Sequence, residues 1–287
     1  GFSFLKEGGI LAYVSPQNWT FIQSYLKFRE FILNNEKILT MCWLGPGAFS
    51  EISGEVVKVV LSIFSKRKTN HLDSFLAIDV SSFTKLAEKE TNLRINEGCI
   101  INQTKQLSNP DYRIISTELE KKPILAKYAI SMRGVVSGDG DKWIRNFWEI
   151  QTIGENWRYL QSTVKNTIDF GGREHIIEWS TNGVEMLRPG TLNEAYEKKG
   201  VAVSQMSKLP VTIYTGDLYD NNVAPIVPLD QSLLTSIWAF CNSSDFFNNV
   251  RKIDQSLKVT NATLVKVPFD LEYWTKVAAE KYPNGLP

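Results

Sequence analysis

The sequence predicts an α/β fold over residues 1–66, then a connector, then a mixed α+β region rich in short strands. Three observations carry that prediction. Residues 10–14 (ILAYV) form a short continuous apolar run, the texture of a central strand covered on both faces. Phe21, Tyr25, Phe28 and Ile32 then recur at helical spacing, with Gln23, Lys27 and Glu30 elsewhere on the same helix. Residues 38–44 and 56–64 are two further apolar strands, and the Gly-rich loop joining them is short enough to favour an antiparallel pair.

Beyond this block the chain turns polar and basic at 65–70, and 75–80 offers another strand. Residues 82–92 follow as a helix with Ser81 or Ser82 as its cap. A helix over 117–128, capped by Ser116 or Thr117, should kink or restart at Pro123. Residues 67–128 are therefore assigned to the connector. From Ala129 the texture changes to β-prone runs broken by Gly and Asn: GVVSGDGDKW, FWEI, HIIEW, GVAVSQM and VTIYTGDLYD, which define a domain over 129–229. In the closing segment, 230–287, helix returns with Leu233, Leu234, Ile237 and Trp238 on one face, and Asp270 caps a final helix through Ala279.

With 43% hydrophobic and 11% aromatic residues, the 287-residue chain can pack two cores of ordinary size. Its 32 Lys+Arg against 31 Asp+Glu leave a net charge of +1, which excludes a bulk-basic nucleic-acid binder and requires any such contact to come from local patches. Three widely spaced cysteines, Cys42, Cys99 and Cys241, suggest neither a disulfide framework nor a zinc site and point to the cytoplasm. There is no signal-peptide pattern, and no apolar run of about 18 residues to make a membrane a partner. His71 and His175 stand alone, and Asp139 and Asp141 lack the rest of a calcium loop, so no metal site is assigned.

Specific motifs carry a family resemblance. Gly8 and Gly9 precede the first strand, Ser15 and Pro16 end it, Arg29 and Glu30 lie on the following helix, and Leu44, Gly45 and Phe49 form the phrase LG-x-x-x-F. GDGDKWIRNFWEI at 138–150 is similar to a GDN-x-x-F-x-R-x-W-x-E segment, and SIWAFCNSSDFF and ATLVKVPFDLEYW are similar to a closing helix and strand. In this order the motifs resemble the C-terminal part of γ-class adenine-N6 DNA methyltransferases, the large Eco57I-like and BREX-type restriction-modification enzymes. The resemblance implies that 1–66 is the distal half of a Rossmann-like methyltransferase sheet and that a target-recognition domain for double-stranded DNA follows. It implies S-adenosylmethionine as the parent's cofactor and a chain that begins in mid-fold, with the upstream part of the same polypeptide as partner.

Adenine-N6 methylation in that family uses an N/D/S-P-P-Y/F element, which this chain lacks. Asn109-Pro110-Asp111-Tyr112 has one proline and reads as a turn. No catalytic residue is therefore assigned, and the chain alone is expected to be inactive and to bind no cofactor. The resemblance makes Phe49 a base-stacking residue, the alternative being a buried loop phenylalanine. Ser15, Pro16 and Trp19 become substrate-pocket residues, at the end of a strand where α/β sheets place ligands. Arg133, Lys142, Trp143, Arg145, Arg158 and Arg173 are the candidate DNA-binding residues, because arginine forks read guanine or grip phosphate. In a strand, alternation would put Trp143 and Arg145 on one face. Two rivals remain open here: a specificity module without chemistry of its own, and a carbohydrate-binding domain with Trp143, Trp157 and Trp179 on one flat face.

Overall fold

A computed structural model describes residues 1–49, 57–190 and 193–286, divided into two compact units. The first comprises residues 1–120 and 252–256, and the second residues 121–251 and 257–287.

The first unit is built on one five-stranded mixed sheet. Its elements are β1 (Ile10–Pro16), α1 (Leu26–Asn35), β2 (Lys37–Gly45), β3 (Val59–Ser65), β4 (Ser74–Asp79), α2 (Leu86–Ile95) and β5 (Cys99–Asn102). The strand order is β1-β3-β2-β4-β5. β3 runs antiparallel to both β1 and β2, as the short connection between 38–44 and 56–64 requires, although Val56 lies outside the described residues. Ile32 and Leu33 of α1 pack with Ile38, Met41, Trp43, Val60, Phe64 and Phe75 to form the core.

Four sequence expectations differ from the structure here. β1 is an edge strand, hydrogen-bonded to β3 alone among the described strands, and Ile10 and Val14 are 56% and 61% exposed rather than covered on both faces. The expected connector supplies β4 and β5 to the same sheet. Within it α2 starts at Leu86 with no side-chain cap, so Ser81 and Ser82 do not cap it. Residues 117–128 form no α-helix; a 3-10 turn at Leu125–Lys127 stands in its place, beyond Pro123, which cannot continue a helical hydrogen-bond ladder.

The second unit carries two four-stranded sheets. Its elements are β6 (Ala129–Ser131), α3 (Gly140–Trp143), β7 (Ile144–Asn146), β8 (Trp157–Gln161), β9 (His175–Glu178), β10 (Gly200–Ser204), β11 (Val211–Tyr214), β12 (Leu218–Tyr219) and β13 (Val223–Pro228), followed by α4 (Leu234–Cys241), α5 (Ser244–Ile253), α6 (Asn261–Leu264) and α7 (Leu271–Lys281). One sheet is ordered β11-β10-β13-β6 and the other β12-β8-β9-β7. Ile237 and Trp238 of α4 are fully buried, and Phe240 stacks against Phe269 and Trp274 at 5.2 Å. The Asp270 side chain accepts from Tyr273 N at 3.1 Å and caps α7 as its sequence position predicts. Among the described residues no helix is long and apolar enough to cross a membrane.

Candidate nucleic-acid interface

Phe49 follows a loop whose root is tightly held. Gly45 has φ +67, and a Cβ there would stand 2.7 Å from the Ser81 backbone, so the first residue after the Leu44 carbonyl must be glycine. The buried Lys89 ammonium donates to the carbonyls of Leu44 and Val80, and Ser81 donates from N and Oγ to Asp79 at 3.0 and 2.6 Å. From this anchor Phe49 projects with 44% of its surface exposed, which is not the environment of a core ring.

Ser15 and Pro16 end β1, and Ser15 Oγ accepts from Trp19 Nε1 at 3.2 Å. The Trp19 indole is 8% exposed and packs edge-on against Phe28 at 5.5 Å and tilted against Phe64 at 6.3 Å. Its surface is thus committed to the core. The neighbouring Gln17 amide is buried and donates to Gln255 at 2.7 Å.

The six basic and aromatic candidates of the second unit fall into two groups of cations and one buried indole. Arg133, Arg145 and Arg158 make no ion pair with any carboxylate among the described residues. Their hydrogen bonds go to neutral oxygens: Arg133 Nε to Asn221 Oδ1 at 2.6 Å, Arg145 Nη1 to Ile144 O at 2.7 Å and to Asp141 O, and Arg158 Nη1 to Glu155 O and Trp157 O. Lys142 and Arg173 are partnered, Lys142 with Glu185 at 3.3 Å and with the Trp143 ring at 4.1 Å, Arg173 with Asp217 at 2.8 Å. Trp143 is 7% exposed, in a core cluster with Leu160, Ile177 and Met186. It ends a helical turn whose N-cap is Asp139, so strand alternation does not hold and Trp143 and Arg145 share no strand face. A flat carbohydrate platform of Trp143, Trp157 and Trp179 is not formed, because Trp143 is buried in the core and does not line the cavity that Trp157 and Trp179 share.

A cavity of about 1110 Å³ is lined by Trp157, Tyr159, Trp179 and Tyr196 together with Glu155, Glu197, Asp217 and Arg158. Three carboxylates against one guanidinium disfavour a DNA backbone there. Two features go beyond the sequence reading, which notes Trp148 but neither Phe147 nor Lys258. Phe147 and Trp148 form an exposed edge-to-face pair at 5.0 Å, and Lys258 and Asn221 share a polar cavity with Arg133. No local motif announces the second, because its residues meet only in the folded chain.

No family profile matches the chain. In sequence it is similar to the adenine-specific methyltransferase BrxX of Escherichia coli O9:H4 (strain HS), with 28% identity over 206 residues, 64% of this chain and 16% of that protein. It is also similar to the adenine-specific methyltransferase PglX of Lacticaseibacillus casei (strain Zhang), with 29% identity over 118 residues, 41% of this chain and 9% of that protein. The chain therefore spans a small fraction of the curated relatives it matches. Among solved structures it is similar to the type IIL restriction-modification enzyme MmeI in complex with DNA, at a TM-score of 0.52 and 10% identity over 96% of this chain and 43% of that one. The DrdV–DNA complex matches at a TM-score of 0.51 and 12% identity, over 97% of this chain and 38% of that one. The chain is homologous to part of the adenine-specific methyltransferases and shares its fold with part of these restriction-modification enzymes.

Proposed function

We propose that this chain is the distal part of a site-specific DNA adenine-N6 methyltransferase of the Eco57I-like or BREX-type class, serving restriction-modification or phage defence. On this reading the first unit completes the Rossmann-like catalytic sheet, and the second recognises the target duplex. The observation that carries it is the edge at β1. This strand is apolar and exposed, it pairs with antiparallel β3 on one side, and its other edge has no described partner. Bare apolar edges invite strand pairing, and a parallel strand from the larger polypeptide would cover this one. Phe28 and Phe31 of α1 are also exposed, by 43% and 44%.

S-adenosylmethionine is the cofactor such a parent would use to supply the methyl group. The residues here do not fit it. No glycine-rich turn follows β1, and the polar side chains at its end are engaged, Ser15 with Trp19 and Gln17 with Gln255. Cofactor and catalytic tetrapeptide are therefore assigned to the upstream polypeptide, and Phe49, exposed in the loop beyond β2, to stacking on the extruded adenine.

Labelled methyl transfer to mixed-sequence duplex DNA tests the reading. The longer polypeptide should label adenine while the 287-residue chain stays at background. Transfer by the isolated chain that survives repurification, or a longer polypeptide inert toward DNA adenine, overturns it.

A further inference from the structure

Arg133 and Lys258, remote in sequence, line one polar cavity of about 310 Å³ with Gln205, Asn221, Thr260 and Asn261. The backbone puts them there. Arg133 precedes Gly134, which lies so close to the Tyr219 carbonyl that a Cβ would stand 2.3 Å from its oxygen. Lys258 precedes Val259, whose N–H donates to Gln205 O at 2.9 Å. Asn221 stands between the two cations: its Oδ1 accepts from Arg133 Nε at 2.6 Å and its carbonyl accepts from Lys258 Nζ at 2.8 Å. The Lys258 ammonium also donates to Asn222 Oδ1 at 2.9 Å.

All these acceptors are neutral, and neither cation is in ion-pair contact with a carboxylate among the described residues. Asp220 lies within coulombic reach of Lys258 without an ion-pair contact to it, and burial pushes its own carboxyl up against the opposing effects of the Asn222 N–H and the Lys258 charge. Lys258 is held below the usual lysine range by burial, with Arg133 acting in the same direction and Asp220 opposing. Two like charges are thus fixed around one recess in which every hydrogen-bond acceptor they use is a neutral oxygen.

The remaining bonding capacity is donor capacity. Arg133 uses Nε and keeps its terminal nitrogens, and Lys258 keeps one of its three N–H groups. The amides alongside are fixed walls: Gln205 Nε2 donates to Val259 O at 2.8 Å and Asn261 Nδ2 to Ser131 O at 3.0 Å. A recess with two cations and open donors suits an oxyanion shared between them, and in DNA the accessible oxyanion is the phosphodiester.

We propose that this cavity holds a backbone phosphate of duplex DNA, with Arg133 and Lys258 as its two cationic ligands. The proposal rests on the reading of the second unit as a DNA-binding domain. The site positions the duplex and carries no sequence information. The acidic aromatic cavity lined by Glu155, Glu197 and Asp217 is a separate surface, unsuited to this anion.

The test is the salt dependence of duplex binding by the full chain, measured on two unrelated DNA sequences for wild type, Arg133→Gln, Lys258→Gln and the double variant. Because the two cations share one phosphate, the double variant should lower the slope of log Kobs against log salt by about 0.9 and each single variant by less, equally on both sequences. Arg133→Lys and Lys258→Arg keep the charge and should keep the slope, while thermal melting of every variant checks the fold. An unchanged slope in a folded double variant overturns the phosphate site. A loss confined to one sequence also overturns it, assigning the pair to base readout instead. A wild-type chain that binds neither duplex at low salt refutes the DNA-binding reading itself.

Discussion

Arg29 donates twice to the carbonyl oxygen of Asp111, from Nη2 at 2.8 Å and from Nε at 3.2 Å, across 82 residues of chain. Its Nη1 donates to the carbonyls of Trp19 and Ile22 at 2.8 and 2.7 Å, and the side chain is fully buried. One guanidinium thus ties the segment after β1 to the turn at Pro110–Tyr112, where Asp111 has φ +55. Arg29→Met should strand these buried acceptors at about 1–3 kcal/mol per group, and Arg29→Lys should fail to restore them because an ammonium lacks the planar fork. The urea midpoint of the isolated chain measures both, and a wild-type midpoint in Arg29→Met would show that Arg29 is dispensable to the fold.

Phe49 tests the division between stability and function. A ring with 44% exposure should cost the fold little when truncated, well under the about 3–5 kcal/mol of a buried phenylalanine. Stacking on an extruded base contributes about 1–3 kcal/mol, so Phe49→Ala in the longer polypeptide should lower methylation with near-normal melting. Strong destabilisation with unchanged methylation per folded molecule would instead make it a core residue.

Trp143 and Arg145 should separate in the opposite sense. Trp143→Ala removes a core indole packed with Leu160 and Ile177 and should cost about 3–5 kcal/mol in thermal or urea unfolding. The Arg145 guanidinium spends Nη1 on the Asp141 and Ile144 carbonyls and leaves its other donors open. Arg145→Ala in the longer polypeptide should therefore preserve folding and weaken cognate binding by about 1–3 kcal/mol more than nonspecific binding. Equal loss on both DNAs would reassign it to phosphate contact.

Asp73 sets an acid limit on the first unit. Burial alone would raise its carboxyl, but hydrogen bonds from Arg67 and from Asn70 N, with the charges of Lys37 and Arg67, outweigh that and hold it below the usual carboxylate range. The folded value lies below the unfolded one, so the stabilisation is complete above the unfolded value near about 4 and is lost as pH falls through the folded value. Asp73→Asn should thus be less stable than wild type at neutral pH, with the gap closing under acid. A stability difference independent of pH would remove the carboxylate from this role.

Much of the first sheet was legible because its signals are local: unbroken apolar runs at 38–44 and 56–64, and a short Gly-rich link that leaves an antiparallel pair as the simplest connection. β13 shows where local signals mislead. It is buried along its whole length between β10 and β6, yet it contains Pro225 and Pro228, and a residue without an N–H reads as a strand breaker. FWEI misled in the other direction, since Phe147–Glu149 is a 3-10 turn closed by a capping box between Asn146 and Glu149. Among the candidate site residues, sequence could nominate arginines but could not tell Arg173, partnered by Asp217, from Arg133, whose nearest partner is neutral.

What the chain specifies locally it specifies well: apolar periodicity marks β2, β3 and the buried face of α4, and the Asp270 side chain starts α7. Those features depend on residues a few positions apart, and their energies are decided within one turn or one strand. The edge position of β1, the burial of Trp143 and the meeting of Arg133 with Lys258 had to await folding. Each depends on which distant segment arrives beside it to cover a face, supply a counter-charge or share an acceptor, and no local pattern carries that information.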